Sequence, residues 1–289
     1  MGNPAVFAPS YLQEYITVGK EVEYLNKLIK VTSKDSKQRV PVAFLTGPPG
    51  IGKTLLCHNI AKEQKMPVVT VNCVSSMIDL DLLGMHVLKG KEMIWQDGPI
   101  PAAIRASNKY GKAMLILNEV NALTPNTQMA FNPLMDHQFS VVLTLNDNEL
   151  VRVEEGNHLF IMCSMNKDVR GINILQEAFL DRSGPVFDLE YPDEKTESKI
   201  ISLITGIDKN KARKFVGVGI ECRNLCIMDK TVTVPVSPRG VIEWVRQSQI
   251  FGPKVGFELA IANKYAGSKN EKRILNGIAK GSDVASFEL

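Results

Sequence analysis

The octapeptide Gly47-Pro-Pro-Gly-Ile-Gly-Lys-Thr54 constrains the fold of this 289-residue chain more than any other stretch. It fits the pattern G-x-x-x-x-G-K-[ST]. It stands between a short apolar run at 40–46 and a helical pattern at 55–63, the strand–loop–helix context that such a motif needs. Glycines let backbone N–H groups face phosphate oxygens, and the helix start adds the positive end of its dipole. Lys53 is then placed to reach the β- and γ-phosphates, and Thr54 to offer its hydroxyl to Mg2+. Gly47, Pro48, Pro49, Gly50, Ile51, Gly52, Lys53, Thr54 and Leu55 are the expected nucleotide-binding residues. The loop by itself does not distinguish a kinase, a GTPase and an ATPase motor.

Further apolar runs of buried-strand type lie at 67–71, 113–117, 159–164 and 186–189, mostly separated by helical patterns. Strands alternating with helices predict a parallel five-stranded sheet flanked by helices. The run at 113–117 ends in Asn118-Glu119. An Asp–Glu pair is usual at the end of such a strand. The first acid holds a magnesium-bound water and the second polarises the attacking water. Here only Glu119 is acidic, and Asn118 offers an oxygen without charge. The simpler alternative is a buried strand with polar end residues.

After residue 192 the pattern changes. Residues 194–206, 208–220, 238–250 and 253–265 read as helices, 231–236 as a possible short strand, and the tail from 281 as frayed. This gives an α/β nucleotide-binding domain over 1–192 and a small helical lid domain over 193–289. Lys and Arg number 34 against 31 Asp and Glu, a net charge of +3, which is too weak to argue for nucleic acid. No stretch approaches the roughly 18 uninterrupted apolar residues of a membrane span, and no secretory signal opens the chain. A cytoplasmic protein is the expectation. Five cysteines at irregular spacing read as free thiols of a reducing compartment, with Cys222-x-x-x-Cys226 as half of a zinc site the alternative.

Together these motifs resemble the AAA+ ATPases, within them the MoxR group, and most closely its CbbQ/NirQ/NorQ subgroup. The phrases Asp81-Leu-Leu-Gly84, Leu88–Pro99, Ala102-Ala-Ile-Arg105 and Asn132-Pro-Leu-Met-Asp-His137 are similar to that subgroup's sequences. The resemblance covers about residues 15–250, in detail over the first 190. It implies a P-loop AAA+ fold that binds ATP with Mg2+. It also implies further site residues: Val18 and Gly19 beside the adenine, Asn166 as sensor 1, Arg182 as an arginine finger entering a neighbour's site, and Arg239 as sensor 2. Each has an alternative. Asn166 caps a turn, Arg182 pairs with Asp181 or Glu177 on the surface, or Arg239 is an ordinary first-turn arginine. Two hairpins, 85–96 and 141–160, are implied to face the pore of a ring or are simply solvated.

The implied activity is ATP hydrolysis by a homo-oligomeric ring, a hexamer, that remodels or activates a protein client. The resemblance adds a possible partner carrying a von Willebrand factor A domain. A nucleic-acid-directed motor and a weakly hydrolysing scaffold are the alternatives. Against the motor stands the lack of any strip of interleaved basic and aromatic residues.

Overall fold

The structure is a computed structural model that describes residues 6–7, 14–35, 37–166 and 175–287. The chain divides into two compact units, one formed by Met1–Gly47 and Gly52–Leu189, the other by Pro48–Ile51 and Glu190–Leu289.

Among the described residues the first unit has ten strands: β1 (Val6–Phe7), β2 (Val42–Gly47), β3 (Pro67–Asn72), β4 (Gly84–Lys89), β5 (Glu92–Asp97), β6 (Lys112–Asn118), β7 (Ser140–Leu143), β8 (Glu149–Arg152), β9 (His158–Asn166) and β10 (Val186–Asp188). Six form one sheet in the order β1-β3-β6-β9-β2-β10. Five of these are parallel, as the alternating pattern predicts, and the two-residue β1 adds an antiparallel edge on β3. The central strands are apolar on both faces because both faces are covered. Along β6, Ala113, Leu115 and Leu117 enter one core and Met114 and Ile116 the other. The first core packs against the helix Pro99–Tyr110 through Ile100, Ala103 and Ile104. The second packs against the helices Glu21–Thr32 and Lys53–Glu63 through Leu25, Ile29, Leu56 and Ile60.

Two antiparallel hairpins are added to this layer structure. β4 and β5 pair through a tight turn at Gly90-Lys91, where Gly90 has φ 66°. β7 and β8 form the second. The expected hairpin at 141–160 is therefore too long: it closes at Arg152, and Phe160 lies in the central strand β9, buried in the second core. One alternating run disguises the boundary. Arg105 ties the two hairpins together. Its Nε donates to Asp97 at the end of β5 at 2.7 Å, and its Nη2 donates to Glu149 at the start of β8 at 2.7 Å. A bond at 2.8 Å between His86 Nε2 and Leu145 O joins them again.

The second unit is helical: Glu194–Thr205, Lys209–Ile227, Pro238–Phe251, Pro253–Phe257 continuing through a π-helical turn to Asn263–Tyr265, and Lys269–Gly281. Asp193, Asp208, Ser237 and Ser268 cap four of these helices by accepting backbone N–H bonds. The expected strand at 231–236 is absent. Val232 and Val236 instead bury in the helical core, where no strand is available to pair with. The tail does not fray at 281 either. A turn at Val284–Ser286 buries Val284, and Phe287 meets Phe215 edge-on at 5.3 Å.

Candidate functional site

Strand register builds the site. Asn72 stands opposite Asn118, Asn118 opposite Ser164, and Gly47 opposite Asn166. These are the carboxyl ends of β3, β6, β9 and β2, the edge at which open α/β sheets bind ligands. Residues in register on neighbouring strands share a face, so their side chains meet. Asn118 Nδ2 donates to Asn72 Oδ1 at 2.9 Å, and Ser164 Oγ donates to Asn118 Oδ1 at 3.2 Å.

The loop between β2 and the helix Lys53–Glu63 has φ of 141°, 79° and 95° at Gly47, Gly50 and Gly52, a backbone that glycine adopts without strain. No side chain caps the helix, the arrangement by which a helix start presents its N–H groups to an anion. Lys53 is buried, and its Nζ donates to Gly47 O at 2.9 Å and to Asn166 Oδ1 at 2.8 Å. Thr54 Oγ1 donates to Asn118 Oδ1 at 2.8 Å. Lys53, Thr54, Asn118 and Asn166, which lie far apart in the chain, thus form one cluster. Asn166 is itself anchored by Asn121, whose Nδ2 donates to its carbonyl at 3.2 Å.

Glu119 leaves the strand in the left-handed region, at φ 55° and ψ 45°. A residue with a β-carbon held there stores strain, a feature that concentrates at functional positions. The side chain is exposed and makes no hydrogen bond or ion pair among the described residues. Burial pushes the Cys73 thiol up to about 12, and the nearby Glu119 charge adds to the rise. Among the described residues no three His, Cys, Asp or Glu gather to hold a metal ion. Thr54 Oγ1 and Asn118 Oδ1 are neutral oxygen donors. They fit a hard divalent cation that takes most of its ligands from phosphate and water.

Comparison with known proteins agrees with this geometry. Residues 43–183 match the AAA domain family, dynein-related subfamily. Protein CbbQ of Hydrogenophilus thermoluteolus is 29% identical over 211 residues, 73% of each chain. Protein NorQ of Paracoccus denitrificans is 26% identical over 224 residues, 78% of this chain and 76% of NorQ. The aerobic cobaltochelatase subunit CobS of a Sinorhizobium species is 23% identical over 236 residues, 76% of this chain and 69% of CobS. Over this stretch the chain is similar to AAA+ proteins of the MoxR type. Among solved structures, Thermotoga maritima RuvB superposes with a TM-score of 0.50 at 15% identity, over 95% of this chain and 72% of RuvB, a likeness of fold alone.

Arg182 pairs with neither Asp181 nor Glu177. Its Nη1 donates to Ala178 O at 3.0 Å, and its Nη2 lies 3.6 Å from Asp136 Oδ2. Val18 and Gly19 are exposed, and their backbone N–H groups donate to the Glu21 carboxylate at 2.8 and 2.7 Å. Tyr15 donates its hydroxyl to the same carboxylate at 3.0 Å, and burial raises its pKa far above the ordinary value. Arg239 sits exposed in the first turn of Pro238–Phe251 and forms no ion pair among the described residues. Pro48, Pro49 and Ile51 are partly or fully exposed in the loop, and Leu55 is half-buried on the following helix.

Sequence reasoning missed Asn72, Ser164, Glu21 and Asp136. A signal for the first two existed: β3 and β6 both end in asparagine, and aligning strand ends puts Asn72 beside Asn118. Glu21 and Asp136 reveal their partners only through side-chain geometry.

Proposed function

We propose that this protein binds and hydrolyses ATP as a homo-hexameric ring and uses the cycle to remodel a protein client. The bond between Lys53 Nζ and Asn166 Oδ1 at 2.8 Å carries the reading. It places a buried cation and a strand-end amide at one point, where a terminal phosphate is recognised from two sides. Lys53 supplies positive charge to the γ-phosphate, and Asn166 hydrogen-bonds that phosphate or the attacking water. Glu119, exposed and unpartnered among the described residues, would orient and polarise that water. Thr54 and Asn118 would hold magnesium and its water shell, and the bound ion adds positive charge to the phosphates. Val18 and Gly19 would line the adenine, with Arg239 and Arg182 reaching phosphate from the lid and from a neighbouring subunit.

The client reading follows the relatives. One is named a cobaltochelatase subunit, and two are named denitrification regulatory proteins. An enzyme client, with a von Willebrand factor A domain partner between it and the ring, fits that company. The RuvB likeness concerns fold alone and lends a nucleic-acid motor no support. Asn118 favours one second reading, a nucleotide-dependent scaffold that hydrolyses slowly, because a neutral amide stands where a carboxylate is usual. Among the described residues no helix is long and apolar enough to cross a membrane.

Bound nucleotide and turnover, measured on two variants, test the proposal. Lys53→Ala is expected to lose ATP, since the loop then lacks its main cation. Glu119→Gln is expected to keep ATP while turnover falls by roughly 10²–10⁴-fold, the usual contribution of a positioned base. Near-normal turnover in Lys53→Ala would overturn the assignment.

A further inference from the structure

We infer that Asp136 is a positioning residue for the Arg182 guanidinium, an inference that rests on the reading of Arg182 as a finger acting on a neighbouring subunit. Arg182 ends the short helix Glu177–Asp181, and its Nη1 is spent on the Ala178 carbonyl one turn back. The free direction of the guanidinium is set by Nη2, which faces Asp136 Oδ2 at 3.6 Å.

Asp136 is in turn held from several sides. Its N–H donates to Asn132 O at 3.0 Å, and its carbonyl accepts from Phe139 N at 3.1 Å. Its Oδ1 accepts both the N–H and the Nδ1 of His137, each at 2.7 Å. One carboxylate oxygen is therefore fixed, and the other is left to the arginine. The His137 bonds, aided by Arg182, hold the Asp136 carboxyl below the usual carboxylate range, so it is ionised at neutral pH.

The contact is poorly suited to stabilising the fold. Both side chains are substantially exposed, and exposed ion pairs contribute little. It is well suited to aiming a long side chain that must later exchange one anion for another. At 3.6 Å the pair is electrostatic, without a short hydrogen bond to break. A cavity of about 550 Å³, lined by Thr32, Lys37, Gln38, Asp136, His137 and Arg182 among others, leaves the guanidinium room to turn.

Mixed rings of the full chain test this. Lys53→Ala subunits have no working site but donate a finger, and Arg182→Ala subunits have a working site but no finger. Mixing the two should restore turnover. Asp136→Asn is then placed on one partner at a time. On the finger-donating Lys53→Ala subunit it should lower the restored turnover by about tenfold, within the range that misplacement of a group costs. On the Arg182→Ala subunit it should change nothing, because that subunit has no guanidinium to position. Asp136→Glu, which keeps the charge, should recover part of the loss. Equal losses on either subunit would show a general structural role and overturn the inference, as would unchanged or raised turnover with Asp136→Asn on the donor. If the unmodified mixture restores nothing, the finger reading itself fails and the inference falls with it.

Discussion

Two polar clusters, one in each unit, are built in opposite ways. In the helical unit Arg223 and Glu197 are almost wholly buried and form a two-pronged pair, Nη1 to Oε2 at 3.0 Å and Nη2 to Oε1 at 2.8 Å. Arg223 Nε also donates to Val236 O at 2.7 Å, and the Tyr191 ring lies 4.1 Å beneath the guanidinium. In the α/β unit the row through Asn72, Asn118, Ser164 and Thr54 uses only amides and hydroxyls. A buried charge pair is locked, because neither member can leave without stranding the other in a medium of low dielectric. A row of neutral groups trades one bond for another at about 1 kcal/mol each. The first arrangement suits a permanent joint between helices, and the second suits a surface that must change partners when a ligand arrives.

The strongest test of that contrast is Arg223→Met. It leaves Glu197 uncompensated and should cost about 3–5 kcal/mol, read as a lowered denaturation midpoint of the helical unit. Burial already pushes the Glu197 carboxyl up against the pull of Arg223, so in this variant it should take up a proton. Adding Glu197→Leu should recover most of the loss, since an apolar pair of similar volume replaces an ionic one with little net effect. A single-variant cost below about 1 kcal/mol would erase the distinction.

Asn118→Asp should have a smaller effect. Asn72 can rotate its amide to donate to the new carboxylate, which keeps the row satisfied. A carboxylate is the better ligand for a hard cation's water shell. The magnesium needed for half-maximal turnover should fall about fivefold, equivalent to roughly 1 kcal/mol, with ATP affinity little changed. Overlapping magnesium titrations would place Asn118 outside the metal's water shell. Ser164→Ala should matter least. It removes one 3.2 Å bond and should lower stability by no more than about 1 kcal/mol, with nucleotide content intact. A larger loss would mean that the neutral row is as rigid as the charged pair.

The sheet is legible in the sequence because both of its faces are buried. Each central strand reads as an unbroken apolar run, and glycines punctuate the turn to the phosphate loop. The helix Lys269–Gly281 is not legible, because it buries only Leu275 and carries Gly277 inside a charged surface pattern. Val232 and Val236 imitate a strand by alternation alone, and alternation does not say whether a neighbouring edge exists. At the site, Lys53 and Thr54 are legible because a local motif holds them. Asn118 is visible as a departure from the usual acid, but the asparagine that pairs with it lies 46 residues earlier. Arg182 is visible too, yet its partner Asp136 lies outside the nearby acids that sequence offers.

Arg105 has a mechanical consequence. Through one guanidinium the root of the first hairpin and the turn end of the second are pinned to the helix Pro99–Tyr110, and His86 ties them a second time. A push on the tip at Gly90 is then passed from the base of the first arm to the turn of the second, and neither arm can tilt far without dragging the other. The pair behaves as a single lever whose fulcrum is that helix. Because Arg105 and Glu149 are open to solvent, added salt weakens the pin, and the stiffness of the lever falls as ionic strength rises.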